Sequence, residues 1–395
     1  MIQTDILVSG GGVAGLTAAA AFGSAGFSVI CVDPTPPVTD AAAEGADLRT
    51  TAFLQPAIEV LAAAGLWSRL APHAAPLQIM RIVDAGGVAP EPRLIKDFDA
   101  SDISDQPFGQ NLPNWLLRRE MVARLAELPN VSFRPGTATT GLLTRTSEAR
   151  VSLSDGSTVS ARLVVAADGR TSPMRAAAGI GVRTLRYGQK ALTFVVTHPV
   201  PHLNVSTEVH RSGGPFTLVP LPDRDGVPCS AVVWMERGPE VARLAALADA
   251  EFAAAAGARS CLILGPLTLV GRRMVWPIIA QIADRMAGER VALMAEAAHV
   301  VPPIGAQGLN MSLADLAALL DLARSHELGS QAMLDAYHRR RHPEVLARVL
   351  GVDALNRVAM LGAPPLRDLR AAALNALYSW PALRKTLMKV GLGVR

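Results

Sequence analysis

Residues 5–15, Asp-Ile-Leu-Val-Ser-Gly-Gly-Gly-Val-Ala-Gly, set a glycine-rich turn between a short apolar run and an alanine-rich stretch that continues to about Gly26. The apolar run Asp5 to Ser9 reads as a strand, the alanine-rich stretch as a helix, and Phe27 to Val32 as a second strand ending at Asp33. Each glycine has a separate physical task. Gly10 permits the tight turn, Gly12 lets the backbone approach a pyrophosphate, and Gly15 lets the helix pack closely on the strand. Val13 and Ala14 open the helix, whose first N–H groups meet phosphate charge. Asp33 follows at roughly the 20-residue separation expected of an acid that binds ribose hydroxyls. The unit is a dinucleotide site, and it does not choose between FAD and NAD.

A chain of 395 residues exceeds what one hydrophobic core usually supports, so two lobes in one compact unit are expected. Half of the residues are apolar and 18% are charged, which excludes disorder and permits a large interior. The net charge of +4 is spread along the chain except near the C-terminus, so nucleic acid is not an expected partner. Cys31, Cys229 and Cys261 are odd in number and far apart, with no metal-type spacing, which fits a reducing cytoplasm and no metal site. The opening MIQTDILVSGGG has no basic leader and does not read as a signal peptide. No run reaches the roughly 18 to 20 apolar residues that a spanning helix needs, so any membrane contact is expected to be peripheral, at the inner surface.

Two later segments repeat the logic of a strand that delivers a functional group at its end. Leu163 to Ala167 is a buried strand that breaks at Asp168-Gly169 and leads through Arg170-Thr171-Ser172-Pro173 into a helix. Arg290 to Ala295 is another, ending at Glu296-Ala297-Ala298-His299. The loop Val300-Val301-Pro302-Pro303-Ile304-Gly305-Ala306-Gln307 follows, with a helix from about Leu309. The N-terminus of that helix is a second site for electron-rich atoms.

The ordered trio of GxGxxG, Asp-Gly after a strand, and acid-Ala-Ala-His with PPIGAQGLN resembles the FAD-dependent aromatic-ring hydroxylases, the single-component flavoprotein monooxygenases. The resemblance implies a two-lobed α/β (α+β) fold like that of 4-hydroxybenzoate hydroxylase. A Rossmann-like FAD-binding domain would be interleaved with a β-sheet substrate domain and followed by C-terminal helices. On that pattern the FAD-binding parts are 1–75, 111–180 and 276–345. The substrate domain is an excursion at 76–110 and a sheet at 181–275, and a helical segment fills 346–395. Glu296 takes the ribityl chain, and Asp168 and Gly169 lie near the pyrophosphate and the nicotinamide donor. Gly308, Leu309 and Asn310 sit beside the pyrimidine end of the isoalloxazine ring, and Pro302 and Pro303 shape the face where substrate docks. Asp47-Leu48-Arg49, ahead of a helix that ends at Gly65-Leu66-Trp67, resembles the segment whose arginine lies near FAD. Arg118, with Met121 and Leu125 at helical spacing, resembles the arginine of a helix near the cofactor.

Within the family, Gly213 to Leu221 resembles the sheet segment that covers the ring in the ubiquinone-biosynthesis branch. Tyr337 to Arg341, Asp353, Leu355-Asn356, Leu366-Arg367, Pro381 to Lys385 and Met388 resemble its tail. This branch implies hydroxylation of a polyprenylated phenol, with FAD as cofactor, NAD(P)H as transient co-substrate and O2 as oxidant. Leu374 to Val394 carries Arg384, Lys385 and Lys389, then Arg395, among Leu, Met, Val and Trp380. It is expected either to cover the core as a surface helix or to rest on a membrane or a quinone-synthesis partner. Ala295-Glu296 departs from the family's Gly-Asp. A left-handed backbone at 295 would cost alanine about 1 to 2 kcal/mol. That departure keeps open a non-catalytic flavin-binding accessory role, beside the alternative of a soluble aromatic-acid or secondary-metabolite hydroxylase. No side chain identifies itself as a catalytic base, and His299, placed after a buried strand, reads first as structural.

Overall fold

The computed structural model of the protein describes residues 1–87, 89, 91–211 and 213–393. Its first sheet grows from the strand Ile2–Ser9, which pairs in parallel with Val29–Asp33 on one side and with Thr158–Ala166 on the other. Val131–Pro135 extends it in parallel beyond Val29–Asp33, and Val291–Leu293 does so beyond Thr158–Ala166. Ile6 to Val8, Leu163 to Ala166 and Val291 to Leu293 are fully buried, as a parallel sheet covered on both faces requires. The helix Val13–Ser24 packs between Asn114–Ala126 and Gln307–Ser325, and its run of buried alanines lets these backbones approach closely.

The second sheet has eight strands in the order His299–Val300, Thr268–Ala283, Val182–Thr197, Val227–Arg237, Pro215–Arg224, Val205–His210, Ile79–Asp84 and Leu94–Asp99. Strict alternation gives it two unlike faces. Leu192, Phe194, Phe216, Leu218, Val232 and Trp234 point to one side and are buried under the helices Gly238–Ala245 and Asp249–Arg259. Val195, Thr217, Val219 and Val233 point to the other and are only half-buried. On that side Ala191, Met235 and Ile278 meet Ile304 and Val352, from the first lobe's loop and from the helix Gln331–Ala359.

A small antiparallel sheet of Thr50–Leu54, Gly109–Pro113 and Ala75–Leu77 lies between the two. The strand Thr50–Leu54 comes between Arg49 and the helix Gln55–Ala63. The helices Pro364–Ser379 and Pro381–Leu392 close the described chain, and Val394 and Arg395 of the expected surface segment lie outside the described residues. Among the described residues no helix is long and apolar enough to cross a membrane.

Candidate active site

Strand register brings the three segments together. Ser9 pairs with Ala166, and Ala166 pairs with Leu293, so the chain leaves three neighbouring parallel strands at one edge of the sheet. The carboxyl edge of such a sheet is where open α/β folds bind ligands.

At the first exit Gly10 takes φ +109, and a Cβ there would lie 2.3 Å from the Ala167 carbonyl oxygen. A Cβ on Gly15 would lie 1.8 Å from the Gly10 oxygen, so helix and turn touch at that point. Gly12 is different. It caps the helix Val13–Ser24 with φ −70 and no side-chain cap, and a Cβ on it would meet nothing within 4 Å. The first-turn N–H groups, from Val13 and Ala14 onward, have no partner within the helix, and the space beside Gly12 is open. Asp33 lies against the same turn. Its Oδ2 accepts from the Gly11 N–H at 2.6 Å, and its Oδ1 accepts from the Thr35 N–H at 2.8 Å.

At the second exit Asp168 accepts from the Ser172 hydroxyl and, at 3.0 Å, from the Met174 N–H. Burial pushes its carboxyl above the usual carboxylate range, and those hydrogen bonds only partly offset it. Gly169 takes φ +85, and a Cβ on it would also meet open space. At the third exit Ala295 takes φ +56, the left-handed conformation that costs an alanine about 1 to 2 kcal/mol. Glu296 follows in the short turn Ala295–Ala297 as an exposed residue between buried neighbours.

Asp47 organises the flank. It receives Arg49 in a two-point pair at 2.8 and 2.7 Å, the Asn114 amide at 3.1 Å and Arg118 at 3.5 Å. Burial pushes the Asp47 carboxyl up, but these partners outweigh it and hold it below the usual range. The Arg49 guanidinium also stacks on Trp276 at 4.1 Å. Burial lowers the basicity of Arg49, yet Asp47 and the charge of Glu296 raise it further. Arg49, Arg118 and Glu296 thus share one electrostatic neighbourhood. Asp47 was legible only as part of a motif, and Asn114 and Trp276 carry no local signature at all.

The helix Gln307–Ser325 starts after Ala306, which is left-handed at φ +56 and supplies no side-chain cap. Asn310 ties this start to the small sheet, donating to the Ala52 oxygen at 2.8 Å and accepting from the Leu54 N–H at 2.8 Å. Gly308 is exposed, and a Cβ on it would meet nothing within 4 Å. Leu309 packs against the main core and Pro302 is buried, whereas Pro303 is exposed. His299 is fixed: its ring contacts the Asp315 carboxylate at 2.6 Å, and Arg341 holds the other Asp315 oxygen at 2.8 Å.

An acidic edge would repel the anionic pyrophosphate, but uncapped helix starts and open glycines suit it, and Asp33 and Glu296 suit the hydroxyls of a ribose and a ribityl chain. The donor set therefore fits a flavin dinucleotide, and the fold and this edge define a dinucleotide-binding flavoprotein. Residues 3–350 match the family described as FAD binding domain. The chain is 34% identical over 394 residues to ubiquinone hydroxylase UbiL of Rhodospirillum rubrum, covering 98% of this chain and 89% of that protein. It is 25% identical over 404 residues to the 3-demethoxyubiquinol 3-hydroxylase of Escherichia coli, covering 99% of each. The crystal structure of p-nitrophenol 4-monooxygenase PnpA from Pseudomonas putida superposes with a TM-score of 0.80 at 20% identity, over the whole of both chains. The chain belongs to the FAD binding domain family, and its fold is of the 4-hydroxybenzoate hydroxylase type. It is an FAD-dependent monooxygenase.

Proposed function

We propose that this monooxygenase hydroxylates the ring of a polyprenylated phenol in ubiquinone synthesis and works at a membrane surface. The alignment of Ser9, Ala166 and Leu293 carries the cofactor part of this reading. Gly10, Gly12, Val13, Ala14 and Gly15 would hold the pyrophosphate with backbone N–H groups, and Asp33 would bind the adenosine ribose. Arg49 and Arg118, oriented by Asp47, would neutralise phosphate charge. Asp168 and Gly169 would flank the pyrophosphate, and Glu296 would accept from the ribityl hydroxyls. Gly308, Leu309 and Asn310 would offer the positive start of their helix to the pyrimidine edge, with Pro302 behind the ring face. When bound and reduced by NAD(P)H, FAD would activate O2, one atom of which enters the ring while the other leaves as water.

The chain's own contribution is orientation and dryness. Val233, half-buried beside Ile304, with Val195 and Val219 further along the same sheet face, would give an aromatic ring an apolar wall. Burying a prenyl tail against such surface contributes about 0.8 kcal/mol per CH2. His299 is buried with its ring held by Asp315, which supports a structural reading of it.

The membrane part rests on the last two helices. Pro364–Ser379 has no fully buried residue and rests on the strands Ile79–Asp84 and Leu94–Asp99 through Arg370 on Asp84 and Tyr378 against Phe98. Leu369, Trp380 and Val390 are 66%, 64% and 63% exposed, apolar surface that a lipid could cover. Lys385 and Lys389 accompany them, as on a helix that rests on anionic lipid. The test is turnover by the FAD-loaded protein with NAD(P)H and either a prenylated phenol or the same phenol without its tail, read by product mass. Equal turnover on both would remove the prenyl assignment. A deletion strain with a normal quinone pool would remove the pathway.

A further inference from the structure

The start of the helix Gln307–Ser325 is held from two sides while its third side is open. Asn310 fixes it to the strand Thr50–Leu54, and Gly308 faces the open space. Gln307 points the other way and is buried. Its amide donates to the Gly305 oxygen at 2.8 Å and to the Gly391 oxygen at 3.2 Å, and its side-chain oxygen accepts from Arg348. Gly391 belongs to the last turn of Pro381–Leu392, where carbonyls have no partner within the helix. Arg348 comes from the middle of Gln331–Ala359 and lies under that same helix end. A Cβ on Gly393 would be 3.1 Å from its Nη2. A cation there also meets the negative end of the helix. Met388 and Leu392 complete the seat, buried against Leu54, Ala100 and Phe108.

Two elements far apart in sequence thus converge on one turn. We propose that the C-terminal helix Pro381–Leu392 buttresses the cofactor site from behind, and that Gln307 and Arg348 are positioning residues that fix the amides of residues 308–310 by holding them to it. The inference rests on the flavin reading above but concerns residues that touch no cofactor. Its consequence is that the face carrying Trp380 and Val390 and the loop beside the flavin ring belong to one mechanical unit. Whatever moves the helix moves the ring's binding edge.

The test uses the full chain and three single variants, Gln307→Met, Arg348→Met and Arg348→Lys, with the double Met variant. FAD dissociation constants, the absorption spectrum of bound flavin and the melting temperature of the apoprotein are measured for each. The expected result is FAD binding weakened about tenfold by either Met change, as for loss of one charge-assisted hydrogen bond. The double variant should be no more than about twofold worse than either single one, because both break one latch. Arg348→Lys should recover most of the affinity and the wild-type spectrum. Unchanged affinity in the Met variants of a chain that binds FAD overturns the proposal alone. So does a loss that follows a lowered apoprotein melting temperature and is not rescued by Lys. A wild-type chain that binds no FAD overturns the flavin reading and this inference together.

Discussion

Gly12→Ala separates folding from cofactor binding. The new methyl group meets no protein atom within 4 Å, and the backbone at φ −70 is open to any residue. Replacing glycine at a compatible position stabilises by about 0.4 to 1 kcal/mol through the unfolded chain. Loss of a glycine cap costs about as much. Apoprotein stability should therefore change by less than about 1 kcal/mol, a melting shift of no more than about 4 °C. The bound pyrophosphate would occupy the space the methyl group enters, so at least one charged hydrogen bond should be lost. That is worth about 1.5 to 3 kcal/mol, or roughly 10- to 150-fold in FAD affinity. Gly15→Ala is the control. Its Cβ would sit 1.8 Å from the Gly10 oxygen, so it should lower the melting temperature whether or not FAD is present. The assay is flavin fluorescence titration beside thermal melts of both apoproteins. FAD affinity within twofold of wild type in Gly12→Ala, or equal destabilisation by the two changes, would refute the assignment of this turn.

Three further outcomes are expected. Asp315→Asn should destabilise by about 1.5 to 3 kcal/mol in urea titrations, because it removes the buried carboxylate shared by His299 and Arg341 while Glu344 still pairs with Arg341. Burial pushes the Asp315 carboxyl up, but His299 and Arg341 hold it below its ordinary value. Its contribution is therefore present above the unfolded value of about 3.9 and lost as pH falls through the lower folded value, so wild type and Asp315→Asn should converge in stability only in strong acid. Glu296→Gln should weaken FAD by roughly 10-fold or more in titration if the carboxylate accepts from the ribityl chain, with melting of the apoprotein unchanged because Glu296 is exposed. Replacing Leu369, Trp380 and Val390 with Ser should abolish co-sedimentation with anionic vesicles, and sedimentation equal to wild type would remove the membrane reading.

Sequence by itself determined what depends on neighbours along the chain. The turn glycines, the apolar strands that end at Asp33, Asp168 and Glu296, and the helix after the proline loop are local, because φ/ψ freedom, strand propensity and helix starts are settled within a few residues. Tertiary structure decided what depends on register and on partners from elsewhere. Only sheet pairing sets Ser9, Ala166 and Leu293 side by side. Only packing shows that Arg49 and Arg118 serve one carboxylate under Trp276, and that His299 is bound to Asp315. The left-handed backbone at Ala295 is likewise a tertiary outcome, since alanine does not choose it alone. The same holds for Pro381–Leu392, where only packing shows that Met388 and Leu392 are buried. Burial is a property of two surfaces, and one chain segment carries only one of them.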